Sequence, residues 1–568
     1  MAEAKTLSAQ EHAANFSARA RTIALVIVAM AFIMDLLDNT IVNIAIPSIQ
    51  SNLGASYATI QWLIAGYALT FATLLITGGR MGDVYGYKKI FMIGVSGFTL
   101  ASLLCGVSWN SHMLIAARLI QGCFAALMVP QVMSLMQVMY KKHERGGIMG
   151  IFGALAGVAA TLGPVIGGIL IHFDIAGLHW RPIFLINIPV GLFSLFAGFK
   201  YLPNGKSPHP LKLDIFGTVL ITIAMLLLVY PLIQGRELGW PTWSFVMIAA
   251  ALPMLIVFGW WQSKKQAKDG SPLVVPSLVH TKTFVLGLVI NLIFEGAMLS
   301  FFLPFTLILQ IGLGFSVIKA ALTGIPTAIG ISVAMAVFSQ KLMPKLGRYT
   351  MVLGTILMSC GLWLLYTLVH HYELKMSPWY FIPGLLLVGS GMAFIMSPMF
   401  SVALNDVDAK HAGSASGVLN AVQQLGGSIG TALLGIVFFT HLSTHAIPSF
   451  TTVEPTIHQQ LSSLNIPAAA QDKIVAGAAQ CFKDSSSSDN SSVTPASCKQ
   501  LEVQHVGISP AVGQKIGGIV TSNVKTANDR NFVSGFHAAV LFEMGILATI
   551  FLLSFFLPRH IRMSAEMG

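Results

Sequence analysis

A chain of 568 residues in which 55% are hydrophobic and only 10% charged, with a mean hydropathy of +0.74, carries far less charge than a soluble globular protein, where about a quarter of residues are charged. Its net charge of +11 is scattered in short groups between apolar runs, which argues against nucleic acid as a partner, since that needs a basic arm or stripe. Five cysteines without zinc spacing, and the lack of a phosphate loop, a nucleophile elbow or repeated filter residues, argue against a metalloprotein, an ATP-driven pump, a membrane enzyme and a channel.

The polar residues 1–22 lead into a hydrophobic stretch too long for a signal peptide and without a small-residue cleavage pattern, so it reads as a retained first span. Further apolar runs follow, and the expected spans are 23–46, 58–78, 90–108, 112–138, 147–171, 183–202, 213–234, 243–262, 283–311, 318–340, 349–370, 379–404, 412–440 and 534–558. Runs of about 20 apolar residues cross a bilayer as helices, because only intrahelical bonding satisfies every backbone group in lipid. The fold class expected is an all-α integral membrane protein of fourteen spans. With residue 1 on the cytoplasmic side, the inside segments hold 22 lysines and arginines, and the short outside loops hold only Arg181, Arg236, Lys319 and Lys375. That asymmetry follows the positive-inside rule, so both 1–22 and 559–568 are expected in the cytoplasm.

Between the last two spans lies a 93-residue loop, 441–533, rich in Ser, Thr, Ala and Pro and placed outside by the same alternation. Cys481 and Cys498 flank its Ser-rich segment. An oxidising exterior permits a disulfide between them, and two unpaired thiols are the other possibility. Apolar patterning at 457–479 and 512–524 predicts short helices, hence a small cap.

Five ionisable residues lie deep in spans: Asp35, Asp38, Arg118, Glu295 and Glu543. Each costs about 2.5–3.5 kcal/mol to insert, so such groups persist mainly where a function or an internal partner retains them. Asp35 and Asp38 share a helix face, and two nearby buried carboxylates disfavour being charged together, which suits them to hold a proton. Glu295 sits beside Phe294, Phe301, Phe302 and Phe305. Carboxylate and rings both attract a lipophilic cation; the alternative is a neutral carboxyl packed on another helix. Glu543, near His537, is assigned no role.

The connection after the second span reads Gly79-Arg80-Met81-Gly82-Asp83-Val84-Tyr85-Gly86-Tyr87-Lys88-Lys89. Its glycines permit a tight turn, and Asp83 is placed to cap the next helix or pair with a cation. A halved echo at 341–348, with Pro344 where the acid would fall, hints at an internal repeat. Span five carries Gly153, Gly157, Gly163, Pro164, Gly167 and Gly168, a small-residue stripe that lets another helix approach, with a proline that can bend it. Span thirteen has a comparable stripe, Gly413, Gly417, Gly426, Gly427 and Gly430.

In these residues the chain resembles the major facilitator superfamily, and within it the fourteen-helix proton-drug antiporter branch of the EmrB/QacA type, over about 34–557. The connection at 79–89 is similar to the superfamily signature, with Val84 and Tyr87 where basic residues are usual. Leu114, Arg118, Gln121 and Gly122 resemble its second motif, and Gly153 to Gly168 the antiporter motif. Leu37-Asp38-Asn39-Thr40 and Trp180-Arg181-Pro182 open segments that resemble fourteen-helix signatures. Gln423 stands where a basic residue often precedes Gln-Leu-Gly-Gly.

The resemblance implies the major-facilitator fold: a six-helix bundle at 23–202, two additional helices at 213–262, and a second six-helix bundle at 283–558. It implies proton-coupled export of small amphipathic or lipophilic, often cationic, compounds by alternating access, with no cofactor besides the coupling proton; export of one metabolite, such as a siderophore, is the alternative on the same fold. Asp35, Asp38, Arg118 and Glu295 would serve proton coupling, and Arg118 would face the first span. An ion pair that merely ties spans one and four is the bland alternative. Phe294, Phe301, Gln121, Asn187 and Met399 would line the substrate cavity, and Gly79, Asp83, Gly86 and Lys88 the gate. The partners implied are a small molecule and membrane lipid in a cell membrane, inner or plasma, with a periplasmic adaptor and outer-membrane channel if the host is Gram-negative.

Overall fold

The computed structural model describes residues 18–140, 142–207, 211–335, 345–404, 406–407, 412–464, 466–487, 495–498 and 510–558. Among them every regular element is a helix. Twelve helices are long and apolar enough to cross a membrane, and two shorter apolar helices, Leu162–His172 and Val317–Val333, stand at the expected fifth and tenth spans. Residues 1–17, the tail 559–568, the end of the tenth span at 336–340, the first half of the echo at 341–344 and the stretch 488–494, which holds most of the Ser-rich segment, lie outside the described residues.

The first group of helices is α1 (Ala18–Leu53), α2 (Tyr57–Tyr85), α3 (Tyr87–Gly106), α4 (Ser111–Met139), α5 (Lys142–His172) and α6 (Pro182–Tyr201). Within it α4 packs on α2 and α3, α5 on α1, and α6 on α1 and α3. A hairpin of α7 (Ile215–Glu237) and α8 (Thr242–Asp269) follows. The second group is α9 (Lys282–Gly312), α10 (Val317–Val333), α11 (Tyr349–Tyr372), α12 (Pro378–Ala403), α13 (Ala412–Thr444) and α14 (Pro510–Ser554). Here α9 packs on α13 and α14, and α12 on α10 and α11.

The helices are mostly apolar around their whole circumference, as helices surrounded by lipid and other helices must be. What joins them closely is glycine. A Cβ on Gly78 would lie 2.0 Å from the Ala126 carbonyl oxygen of α4, and one on Gly430 would lie 2.3 Å from Gly296 Cα of α9. Without side chains at these points the backbones approach as larger residues would forbid.

Two seams hold the groups together. At one, α2 lies along α13: Ser428 Oγ donates to Ala65 O at 3.1 Å, Gln61 Nε2 to Thr431 O at 3.4 Å, and Tyr57 stacks on Phe439. The α7 helix covers this seam, its Ala224, Met225, Val229 and Ile233 packing with Trp62 and Leu69 of α2 and Ala432 of α13. At the other, α5 meets α10, where a Cβ on Gly168 would lie 3.0 Å from Ala321 Cβ.

Short helices Ala446–Thr451, Glu454–Ser462 and Ala468–Ser487 pack on the first part of α14 around Phe450, Ile457, Val475, Phe482 and Ile516. They form a cap on one face of the molecule, with Cys481 and Cys498 joined in a disulfide. The stretch 512–524 is no separate short helix: α14 runs unbroken for 45 residues, about 68 Å at 1.5 Å per residue, against a hydrocarbon core of about 30 Å. The stretch carries no proline, its Gly517 and Gly518 do not stop the helix, and the cap's apolar residues pack against its outer part. The described boundaries also narrow the loop expected at 441–533, since α13 continues to Thr444 and α14 starts at Pro510.

One apolar cluster fills the second group and reaches into the cap-side half of the first, through Ile41, Ile44, Leu63 and Phe184. The other half of the first group has its own core, with Ile27, Phe91, Met128 and Phe152. The two groups are therefore joined most continuously on the cap side.

Candidate functional site

Near the middle of the first group, α1 presents two acids three residues apart, one turn of helix, so both point the same way. Asp38 is 1% exposed and Arg118 of α4 is 2% exposed, and they form an ion pair between Oδ2 and Nη1. The other Asp38 oxygen accepts from Gln121 Nε2 of α4 at 2.8 Å and from Asn187 Nδ2 of α6 at 3.1 Å. Both amides also reach Ser102 Oγ of α3, at 2.9 and 3.2 Å. Arg118 also donates from Nη1 to Gln121 Oε1 at 2.7 Å and from Nε to the Leu63 carbonyl at 3.0 Å, and its guanidinium lies 4.3 Å over the Tyr67 ring. Asp35 takes the Tyr67 hydroxyl of α2. Two carboxylates on one helix thus hold three others: α2 through Tyr67, α4 through Arg118 and Gln121, and α6 through Asn187.

A buried ion pair is tolerable when further hydrogen bonds hold it, and here both Asp38 oxygens and the Nε and Nη1 of Arg118 have partners. Gln121 and Asn187, expected to line a cavity, are turned onto Asp38. Glu295, the fourth residue expected in proton coupling, lies in the second group instead, where it accepts from Gln423 Nε2 of α13 at 2.6 Å. Phe294 and Phe301 are sealed in the apolar cluster around it, with Phe301 stacked on Phe305, and Met399 is buried in the same cluster.

The glycines of α5 are contact points. A Cβ on Gly163 would fall 2.0 Å from Thr40 Oγ1, and one on Gly167 would fall 2.7 Å from Ile41 Cγ1, so they seat α5 against α1 just beyond Asp38. Gly168 faces α10, on the seam between the groups. Pro164, Gly153 and Gly157 all lie within the helical run of α5.

The connection at 79–89 departs from expectation. Gly79 and Gly82 lie inside α2, and only Gly86, at φ +102°, makes the turn. Asp83 does not cap α3; it accepts from Tyr87 Oη at 3.0 Å. Glycine permits a turn without requiring one, and the space beside Gly82 is taken by the Gln131 side chain of α4. Lys88 Nζ donates to Phe199 O at 2.8 Å, tying α3 to the end of α6.

The sequence reading gave Arg80 no role, yet it is the connector of this region. Its guanidinium donates to the carbonyls of Lys212, Ser271 at 2.8 Å and Pro272, so the end of α2 is fastened to both linkers that flank the α7–α8 hairpin. Asp214 organises the same corner, accepting from Gly217 N at 3.0 Å, Trp261 Nε1 at 2.8 Å and Gln262 Nε2 at 2.9 Å. The available signal was a lone arginine between glycines in an otherwise apolar helix.

A family model described as Major Facilitator Superfamily matches residues 28–431. The chain belongs to that superfamily. Its members are transporters, and this chain is accordingly a multi-pass membrane transporter of small molecules and no enzyme. It is 36% identical to a probable actinorhodin transporter of Streptomyces coelicolor, over 95% of this chain and 92% of that one. It is 31% identical to a tetracenomycin C resistance and export protein of Streptomyces glaucescens, over 73% and 75% of the two chains. Curated relatives of this kind place it with the drug-efflux branch. Among solved structures, a bacterial homolog of the human lysosomal transporter Spinster superposes with a TM-score of 0.55 at 14% identity, over 95% of this chain and 98% of that one. At that identity the likeness speaks for the fold alone.

Proposed function

We propose that the chain is a proton-coupled antiporter that exports small amphipathic or lipophilic compounds, cationic ones among them, by alternating access. In this reading both termini are cytoplasmic, the cap is outside, and the closed cap-side contact between the two groups is the outer gate. The observation that carries it is the Asp38–Arg118 pair. A proton reaching Asp38 neutralises it, removes the attraction for Arg118 and weakens the hold of Gln121 and Asn187, so one event loosens α1 from α4 and α6 together. A relative named for resistance and export supports the direction of transport, and it and the actinorhodin transporter support a small-molecule cargo.

The test is accumulation of ethidium, a lipophilic cation, by everted vesicles holding the protein. An imposed pH gradient is expected to drive uptake, and dissipating it to abolish uptake. Asp38→Asn, checked for membrane insertion, is expected to lose gradient-driven accumulation. Uptake that ignores the gradient, or an Asp38→Asn protein that still concentrates ethidium, would sink the reading. A single dedicated cargo is the second reading, favoured by the near full-length match to a transporter named for one compound. It predicts no ethidium movement by a well-folded protein.

A further inference from the structure

Glu543 of α14 is fully buried, on a helix face shared with Phe536, Ala539, Val540 and Leu547, each no more than 1% exposed. Its Oε1 lies 2.7 Å from Ser300 Oγ of α9, and its Oε2 is buried with no hydrogen-bond partner. An isolated carboxylate ion sealed from water without a counter-charge is very costly, and the hydroxyl opposite is neutral. We propose that Glu543 and Ser300 form a second proton-binding site, in the second bundle, reached from the cap face through His537 and separate from the acids of α1.

Ser300 is built to serve both states of that site. Its Oγ also lies 3.1 Å from the carbonyl oxygen of Ala297, one turn earlier on α9. A hydroxyl has one hydrogen and two lone pairs, and it rotates to suit its neighbours. When Glu543 is ionised, Ser300 donates to it. When a proton adds to Oε1, the new O–H donates to Ser300 Oγ, and Ser300 turns its own hydrogen to Ala297 O. Both states are therefore hydrogen-bonded, and neither requires the backbone to move.

On the cap side of Glu543 three imidazoles gather. His537 lies six residues earlier on α14, about 9 Å along the axis, and its Nε2 is buried without a partner. Its ring packs 4.5 Å from Tyr366 and 5.7 Å from His370, which is exposed at the end of α11. From α13, His441 Nε2 lies 2.8 Å from Ser534 Oγ of α14. Histidine is the side chain that takes up and releases a proton near neutral pH, and here α11, α13 and α14 each contribute one. Toward the centre, α9 contributes Glu295, five residues from Ser300. The titratable groups around the site are thus Glu295, Tyr366, His370, His441 and His537.

The inference rests on the proton-coupled reading for its use in transport, but its test does not. Infrared difference spectra of the purified full-length protein, taken between about pH 5 and pH 9, are expected to contain a neutral-carboxyl C=O band that is lost in Glu543→Gln and kept in Asp38→Asn. Ser300→Ala is expected to shift that band without removing it, since the hydroxyl partner is gone and the acid remains. In deuterium oxide the band is expected to shift by O–D exchange, about tenfold more slowly in His537→Phe if the imidazole is the route. A Glu543 band that neither titrates nor exchanges marks a sealed structural acid and overturns the proposal, as does a spectrum unchanged by Glu543→Gln. Exchange unaltered in His537→Phe overturns the route. Loss of gradient dependence in the ethidium assay with a titrating Glu543 band would overturn antiport while leaving this site standing.

Discussion

Asp38 receives three side chains from two helices, and the consequence at the scale of single residues is that its ion pair is a strong tie only while both members are present. Removing one member of a buried pair leaves the other charged and uncompensated, at a cost of about 3–5 kcal/mol, whereas replacing both with neutral groups of similar volume is often nearly neutral. Arg118→Met is therefore expected to lower the thermal midpoint of the detergent-purified protein clearly, and Arg118→Met combined with Asp38→Asn to recover most of it. Gradient-driven transport is expected to stay absent in the double variant. Recovery of both stability and transport would reduce the pair to a structural tie. The partnership of Asp38 with Arg118 was legible because charges inside a span are scarce and the resemblance named the arginine's direction. The link from Tyr67 to Asp35, and the turn of Gln121 and Asn187 onto Asp38, were not. They depend on how far each helix is rotated about its axis, and in helices apolar all round no stripe of polarity fixes that rotation.

At the scale of helices, the glycines make contact predictions that can be separated from loss of activity. Gly163→Ala would push a methyl to within 2.0 Å of Thr40 Oγ1, and overpacking of this kind costs about 1–3 kcal/mol. Thr40 Oγ1 bonds the carbonyls of Leu36 and Leu37 in its own helix, so its removal gives up little. Thr40→Ala is then expected to restore most of the midpoint lost in Gly163→Ala, measured by thermal unfolding in detergent; no rescue would mean that α5 and α1 do not meet there. Arg80 makes a different prediction. Arg80→Ala frees the carbonyls of Ser271 and Pro272 from the end of α2, and protease added to everted vesicles is expected to cleave 270–281 faster than in the unaltered protein, with ethidium binding retained. Equal cleavage rates would remove the fastening role. Helix could be read at every expected span from apolar length, because lipid leaves helix as the only choice, whereas helix ends could not: the helix expected at 23–46 runs Ala18–Leu53 and that expected at 534–558 starts at Pro510. The turn at 79–89 was misplaced because glycine signals close approach as readily as it signals a turn, and only the neighbouring α4 decides between them.

At the scale of the molecule, the proposed orientation rests on the excess of lysine and arginine expected on the face opposite the cap, while the long α14 carries the cap clear of the hydrocarbon. The charge excess was fully legible. The cap was only partly so, since its core draws on residues as far apart as Phe450 and Ile516, and no local period links them. In the proposed topology Ser522, exposed in the cap-side part of α14, and Ser263, exposed near the end of α8, lie on opposite sides of the membrane. Single cysteines at these positions, in a background where the free Cys105, Cys123 and Cys360 are replaced by serine, give a direct reading. A membrane-impermeant maleimide applied to intact cells is expected to label Ser522→Cys and spare Ser263→Cys, and applied to everted vesicles to do the reverse. The positive-inside rule gives the expected sign of this outcome, because the short loops of the cap face hold so few cations that inverting the chain would carry nearly all the basic segments outward. Labelling of both sites from the same side would require an even number of crossings between them in place of the five given by α9 to α13, and would overturn the assigned topology from the hairpin onward.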